Sequence, residues 1–543
     1  MWERSVLSNA RRRLLPNVRR AIERLGVSIP AAYQAPVTAD ECLQDQWWRI
    51  NHLYRVLDET GTDLPFVLNP VQVDYYWNQW YLNIILKSRQ HGFTTLAAII
   101  AMDHCVWRPN FHAHMIADTR ENAERLFEEK IRWPLRKLSE VCPELSVLTD
   151  TTEDNARVIR FPKGSSLSCG MSMRGGTLQM LHISEHGKIC AKHPDKAKEI
   201  RSGSLNAVHA GQLITIESTA EGRSGDFYEF SELARKTRDA KKSLTYLDFK
   251  FHFYAWWQDT KNTLAPGGVT ITTELDEYFK QLAIKEGIRL TPGKKAWYAK
   301  KKETQRDLMY REHPSTPPEA FQGATEGTLL AKQMLAVRAQ GRIVEHIPFD
   351  LAYPVNTTWD LGKSVNNETA VWFHQWIPRA GTHRWLWYEE ADSEGLPYWV
   401  QRLYDMRDKF GFVYGKHFFP HDVEVSDLSL AKGVTRKMRL EKMGVRNIEV
   451  VDRVPDLADG IEAMRIVLGS SVFSESTCSL GIIHLENYRR EWDEKTESHK
   501  DTPVHDKASN GADAFRQLCQ ETEQLVAYNG RKKAKVVRNW RTA

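Results

Sequence analysis

Short apolar runs alternate with amphipathic stretches along most of this chain. Between about residues 66 and 321, the runs at 81–86, 112–117, 180–183 and 213–217 predict buried strands. Helical spacing lies between them, as in 119–131. Buried strands alternating with helices imply a largely parallel sheet. Upstream, 41–60 predicts a helix with Trp47, Trp48, Leu53 and Val56 on or near one face. A second pattern begins near Ile347. Its runs at 356–360, 370–377 and 385–389 follow one another closely, which predicts antiparallel neighbours. A helix near 398–410, strands near 413–419 and 447–451, and helices out to Tyr528 complete a mixed sheet with helices around it. Between the two patterns, "REHPSTPPEAF" at 311–321 is a proline-rich break.

With 543 residues the chain exceeds one hydrophobic core. The patterns divide it into a basic helical segment 1–60, an α/β domain 61–325, a linker 326–345, a second domain 346–528 and a basic tail 529–543. The apolar run 96–102 is far too short to span a bilayer, so no membrane association is expected. The arginine-rich start lacks the apolar stretch of a signal peptide. The seven cysteines form no C-x-x-C pair, which fits a reducing cytoplasm better than a disulfide framework or a cysteine zinc site. The net charge of +5 is unevenly placed. Residues 1–24 carry +5 and 531–541 carry +6, leaving about −6 on the body. Basic ends on a near-neutral body suit a polyanion or an acidic partner, or are solvated ends.

Candidate chemistry begins at "LKSRQHGFTT", 86–95. A phosphate-binding loop reads G-x-x-x-x-G-K-[ST]. Here Phe93 follows Gly92 where the lysine belongs, Thr94 and Thr95 supply hydroxyls, and Lys87 stands five residues before the glycine. A strand precedes the loop and a helix follows it. That junction gathers free N–H groups and a helix dipole, which can hold phosphate. Lys87 could fold back over the phosphates, and Thr94 is placed to coordinate Mg²⁺. "LQMLHISEHGK" ends an apolar run in Ser184–Glu185, where a glutamate could polarise an attacking water; Ser184 occupies the position of a magnesium-organising aspartate. "LITIESTAEG" ends a strand in Ser218–Thr219, hydroxyls suited to sensing a γ-phosphate. Gln72 could meet an adenine edge. Arg174, in "GMSMRGG", is either a finger reaching a neighbouring subunit's phosphate or a surface ion pair.

The second pattern presents acids where a two-metal nuclease needs them, since two divalent cations must be neutralised by converging carboxylates. Asp360 ends the first strand, Asp422 follows the fourth, and Asp513 lies on a late helix. Three antiparallel strands with a parallel extension are the RNase H-like arrangement. Glu389 and Glu390 are rivals for a metal position. His421, His505, Asp506 and Ser509 are candidate supports.

Taken in order, Gln72, "KSRQHGFTT", the R-G-G of 174–176, strand-S-E and strand-S-T resemble the large terminase subunits of tailed bacteriophages. "HMIADTRENAERLF", "HPSTPPEAF", strand-D-x-G, P-H-D and A-D-A-x-R are similar to further segments of that family. The resemblance spans roughly residues 60–525. It implies an α/β chain in which a RecA-like (ASCE P-loop) ATPase domain precedes an RNase H-like nuclease domain. It assigns ATP binding to Gln72, Lys87, Ser88, Arg89, Gln90, His91, Gly92, Phe93, Thr94 and Thr95, with Lys87 in the displaced-lysine role. Catalysis of hydrolysis falls to Glu185 and Arg174, coupling to Ser218 and Thr219, and the cut to Asp360, Asp422 and Asp513. The implied cofactors are ATP with Mg²⁺, and two Mg²⁺ or Mn²⁺ ions for the nuclease. The implied partners are double-stranded phage DNA, a portal protein, a small terminase subunit and further copies in a ring. The implied location is the host cytoplasm, docked on a procapsid. A helicase–nuclease repair enzyme is the alternative, but the second block carries no phosphate loop and no paired helicase arginines. A non-catalytic scaffold would be supported by Phe93 and Ser184.

Overall fold

Strands of this protein that are buried on both faces use alternate residues to build two separate cores. In the computed structural model, residues 29–522 are described except 31, 224, 322–326, 363–368, 393, 425–433, 454–455 and 494–497. The basic ends at 1–24 and 529–543 lie outside the described residues. The chain divides into two units, Met1–Gly323 and Ala324–Ala543.

In the first unit a short antiparallel hairpin, β1 (Arg55–Leu57) and β2 (Asp63–Pro65), precedes the main sheet. That sheet contains β3 (Leu82–Lys87), β4 (His112–Ile116), β5 (Glu153–Asn155), β6 (Val158–Arg160), β7 (Ser166–Gly170), β8 (Leu178–Ser184), β9 (Val208–Ser218) and β10 (Phe249–Tyr254). Among the described residues the order is β10-β3-β9-β8-β4-β7-β6-β5. The strands from β10 to β7 are parallel, and β6 and β5 add an antiparallel edge. This is a RecA-like sheet, in which β9 lies between β3, which leads into the loop 88–92, and β8, which ends in Ser184. Ile85 packs under the helix Phe93–Trp107, while Ile84 and Leu86 face the opposite core with Ile183, Ile189 and Phe227.

The second unit contains β11 (Ile343–Val344), β12 (Val355–Asp360), β13 (Thr369–Ile377), β14 (Thr382–Ala391), β15 (Tyr414–Pro420), β16 (Ile448–Val451) and β17 (Ser471–Ser474), ordered β11-β17-β14-β13-β12-β15-β16. β12, β13 and β14 pair antiparallel, and β15 and β16 extend the sheet in parallel, an RNase H-like arrangement. The helix Leu396–Phe410 covers one face, and the helices Leu457–Leu468, Glu475–Asn487 and Lys507–Gln520 cover the other. A hairpin of β18 (Arg490–Asp493) and β19 (Ser498–Pro503) stands apart.

Several expectations change. The helix expected over 41–60 is two helices, Ala39–Gln44 and Gln46–His52, because Asp45 ends the first and caps the second; the chain then turns into β1. The expected linker 326–345 belongs to the second unit. Leu329, Leu330, Met334 and Val337 are buried in its core, and the helix Ala331–Ala339 and β11 fall inside the stretch. β17, β18 and β19 interrupt the helices expected up to Tyr528, of which 523–528 lie outside the described residues.

One buried polar cluster ties the N-terminal helices to the helix Phe93–Trp107. Asp103, fully buried, accepts from Arg49 Nε (2.8 Å) and Nη2 (2.7 Å), Tyr54 Oη (2.6 Å) and Gln46 Nε2 (3.0 Å). Removing one partner of a buried pair strands the other charge. Asp103→Ala should therefore cost the first unit roughly 3–5 kcal/mol, and Arg49→Met with Asp103→Leu should recover much of it. The urea midpoint of the first unit's unfolding transition measures both.

Candidate active sites

Parallel register and a two-residue period decide what meets at the end of the first sheet. Ile85 stands opposite Glu217, and Glu217 stands opposite Ser184. Paired residues share a face, so Lys87, Glu217, Ser184 and His182 all point toward the helix Phe93–Trp107. Lys87 is buried there. Its Nζ lies 3.1 Å from Glu185 Oε1 and 3.0 Å from Glu217 Oε2. Burial pulls the ammonium's pKa down, but Glu185 and Glu217 outweigh it, so the group is held charged above its ordinary value. Glu217 is fully buried and accepts from Thr94 Oγ1 at 2.6 Å and Ser184 Oγ at 2.9 Å. Burial raises its pKa; Lys87, then His182 and Thr94, reverse this and hold it well below the carboxylate range. Glu185 differs: its side chain is 36% exposed, which leaves the carboxylate open to solvent. Its backbone is left-handed, with φ of +53°, a conformation that a non-glycine residue adopts only under constraint.

The loop is braced from behind. Gly92 is left-handed (φ +75°) and caps the helix; a Cβ there would lie 2.8 Å from Gln72 Nε2. Gln72 Nε2 donates to the Gly92 carbonyl at 2.8 Å, and Gln72 Oε1 accepts the Asn69 N–H at 3.0 Å. The amide expected on an adenine edge thus holds the loop itself. Ser88 Oγ donates to the Glu312 carbonyl, Arg89 pairs with the Glu312 carboxylate at 2.6 Å, and His91 Nε2 donates to the Ala255 carbonyl. Burial, then the Lys87 charge, push His91 down to about 4, so the imidazole is neutral. Gln90 takes a left-handed turn at φ +67°. Phe93 packs in the core against Tyr75 and Tyr254, so its side chain is turned away from the loop mouth. Ser218 Oγ accepts the Gly187 N–H at 3.0 Å and lies 3.5 Å from Glu185 Oε2; Thr219 is buried beside it. Arg174 is not brought to this cluster: its side chain is 71% exposed and pairs with Glu199 at 3.0 Å.

In the second unit Trp359 packs toward the helix Leu396–Phe410, so Thr358 and Asp360 face the other side. Thr358 Oγ1 donates to the Ala514 carbonyl, which seats the helix Lys507–Gln520 on β12 beside Asp360. Asp513 on that helix accepts from Tyr488 Oη and Arg516 Nη2, both at 2.9 Å. Burial first, then the charge of Asp513 and in smaller part that of Asp360, push the Tyr488 phenol well above its ordinary value; the same two carboxylates help raise Arg516 against its burial. Asp360 and Asp513 thus both act on Tyr488 and Arg516. Thr358 stands opposite Phe418, so β12 and β15 end at the same edge, where the turn His421–Glu424 carries Asp422. Among the described residues no three His, Cys, Asp or Glu side chains are arranged to hold a metal ion. The donors are hard oxygens of the kind Mg²⁺ and Mn²⁺ take, and the Asp513 charge is met here by Arg516.

The rivals separate by face. Glu389 points toward the helix Leu396–Phe410 and pairs with Arg402 at 2.5 Å. Glu390 is on the Asp360 face but two strands away, bonded to Tyr388 and 3.3 Å from His484. Asp506 caps the helix Lys507–Gln520 and pairs with Arg489 at 3.0 Å, with Ser509 Oγ bonded to its carbonyl. His421 and His505 are exposed. Sequence reading missed Glu217, Glu312, Tyr488 and Arg516. Glu217 carried a signal: in a strand buried on both faces, an acid in the alternation Ile214, Thr215, Ile216, Glu217 must point inward.

Neither a family model nor a curated protein matches the sequence. Similar solved structures include bacteriophage large terminases. The HK97 large terminase shares 13% identity and a TM-score of 0.42, covering 88% of this chain and 99% of its own. The ATPase domain of the Thermus phage P74-26 large terminase shares 18% identity and a TM-score of 0.27, covering 40% of this chain and 89% of its own. The large terminase nuclease domain of bacteriophage SPP1, solved with bound Mn, shares 14% identity and a TM-score of 0.26, covering 34% of this chain and 95% of its own.

Two stability changes follow from the first site. Phe93→Ala empties a core position and should cost roughly 3–5 kcal/mol. Lys87→Met removes the cation from buried Glu217. In the parent chain the Glu217 pKa is lowered, so its contribution is present above the ordinary carboxylate pKa and lost as pH falls. In the variant that pKa rises above the unfolded value, so stability falls as pH rises. The deficit of Lys87→Met in urea midpoint should therefore widen between about pH 5 and pH 8. A deficit independent of pH would show that Glu217 does not depend on Lys87.

Proposed function

We propose that this chain is a phage DNA-packaging motor, whose first unit hydrolyses ATP and whose second unit cuts double-stranded DNA. The observation that carries the reading is the buried Lys87 between Glu185 and Glu217, at the start of a glycine-capped loop that opens a helix. A triphosphate is the anion that such a loop and lysine suit. Lys87 binds the phosphates, Thr94 would hold the magnesium that accompanies ATP, and Glu185 polarises the attacking water. Ser218, bonded between Gly187 and Glu185, lies where a change at the γ-phosphate reaches the strand end, with Thr219 next to it. Arg174 acts in trans on a neighbouring copy, which fits its exposure and its distance from its own cluster.

For the cut, Asp360, Asp422 and Asp513, which are not arranged as a metal cage among the described residues, would have to draw together around two Mg²⁺ or Mn²⁺ ions, which would supply an activated water and stabilise the leaving 3′-oxygen. Arg516 and Tyr488 hold Asp513 in place, and the seat of Thr358 on Ala514 fixes the helix against β12. The motif order that resembles the large terminases supports a ring of copies on a portal, a small terminase subunit as partner, and transient docking on a procapsid in the host cytoplasm. The basic ends suit DNA or that assembly. A helicase built from two RecA-like units is disfavoured, because the second sheet is of another kind. Among the described residues no helix is long and apolar enough to cross a membrane.

Glu185→Gln should bind ATP and lose turnover by about 10²–10⁴-fold. Asp360→Ala and Asp513→Ala should each abolish cleavage of plasmid DNA with Mn²⁺ while phosphate release from ATP persists. Normal turnover in Glu185→Gln, or retained cleavage in either aspartate variant, contradicts the assignment of that residue.

A further inference from the structure

The phosphate site has a hydroxyl where an acid is expected. Ser184 ends β8, and a serine cannot hold a magnesium-bound water as an aspartate does. The register supplies a carboxylate from the next strand: Glu217 of β9 stands directly opposite Ser184 and opposite Ile85 of β3. Its oxygens gather Thr94, Ser184 and Lys87. Thr94 Oγ1 donates to Oε1 at 2.6 Å, Ser184 Oγ donates to Oε1 at 2.9 Å, and Lys87 Nζ lies 3.0 Å from Oε2. His182, itself fully buried, brings Nε2 to 3.5 Å from Oε1. A buried carboxylate is costly, and apolar replacement of a buried pair is often neutral or stabilising. Stability alone therefore does not account for this acid between two central strands.

We propose that Glu217 is the magnesium-organising positioning residue of the nucleotide site, taking over from β9 the task that Ser184 cannot perform on β8. The inference rests on the ATPase reading. Glu217 orients the Thr94 hydroxyl toward the cation and accepts from cation-bound water, because Mg²⁺ keeps several waters and is held through few carboxylates. The same carboxylate fixes Lys87, so cation and lysine are set by one group.

The test is nucleotide affinity with and without magnesium, read by calorimetry with ATPγS on the full chain. In the parent chain Mg²⁺ should tighten ATPγS binding. In Glu217→Gln that tightening should shrink by about 10–100-fold, the usual effect of losing a group that orients a metal's ligands. Moving the carboxylate to the neighbouring strand, Ser184→Asp with Glu217→Ser, should restore it. A purely structural acid would give the opposite pattern: folded Glu217→Gln, judged by its unfolding midpoint, with parental magnesium dependence overturns the proposal. A folded double variant without magnesium dependence overturns it as well, and decides the matter if Glu217→Gln does not fold. Failure of the parent chain to bind ATPγS at all would instead refute the ATPase reading, a distinct result.

Discussion

A lysine buried at the end of a parallel strand must be paired or it will not stay charged. Lys87 is paired twice, by Glu217 from the adjacent β9 and by Glu185 from the end of β8. This constraint organises the first unit. β9 must lie between β3 and β8, its register must place Glu217 level with Ser184, and the helix Phe93–Trp107 must begin where Thr94 can reach the same carboxylate. The two acids differ in the way that chemistry requires. Glu217 is sealed and fixed by hydrogen bonds. Glu185 is partly open to solvent and carried on a left-handed backbone. One is suited to holding, the other to acting on water.

The second unit solves a related problem at its sheet edge. Asp360 and Asp513 come from a strand and a helix far apart in sequence, and Asp513 is held by Arg516 and the Tyr488 hydroxyl. Sheet alternation then sorts the neighbouring acids. Glu389 is turned to the opposite face, and Glu390 is engaged with Tyr388 and His484. Period two thus discriminates among acids that sequence proximity alone could not rank.

Strand positions were legible because buried strands leave continuous apolar runs, and β3, β4, β12 and β13 lie within a residue or two of where those runs end. The loop was legible from Gly92 and the two threonines. Tertiary exchanges were not. Gln72 has the chemistry to meet a base, yet its amide bonds Asn69 and Gly92 and so braces the loop. Phe93 occupies the lysine position of the loop by sequence, but it is a core residue in space. Residues 326–345 are polar enough to read as a linker, yet four apolar side chains there complete the second core. Glu217 was hidden because its partners Thr94 and Ser184 are 123 and 33 residues away. Only the strand order brings them together.

The Lys87 cluster is read here as a site for a nucleotide's phosphates. A structure of the chain with ATPγS and Mg²⁺ tests it most directly. The phosphates are expected in the loop 87–94, with Lys87 released from Glu185 onto them and Glu217 still bonded to Thr94. A nucleotide bound elsewhere, with the Lys87–Glu185 pair intact, would contradict it.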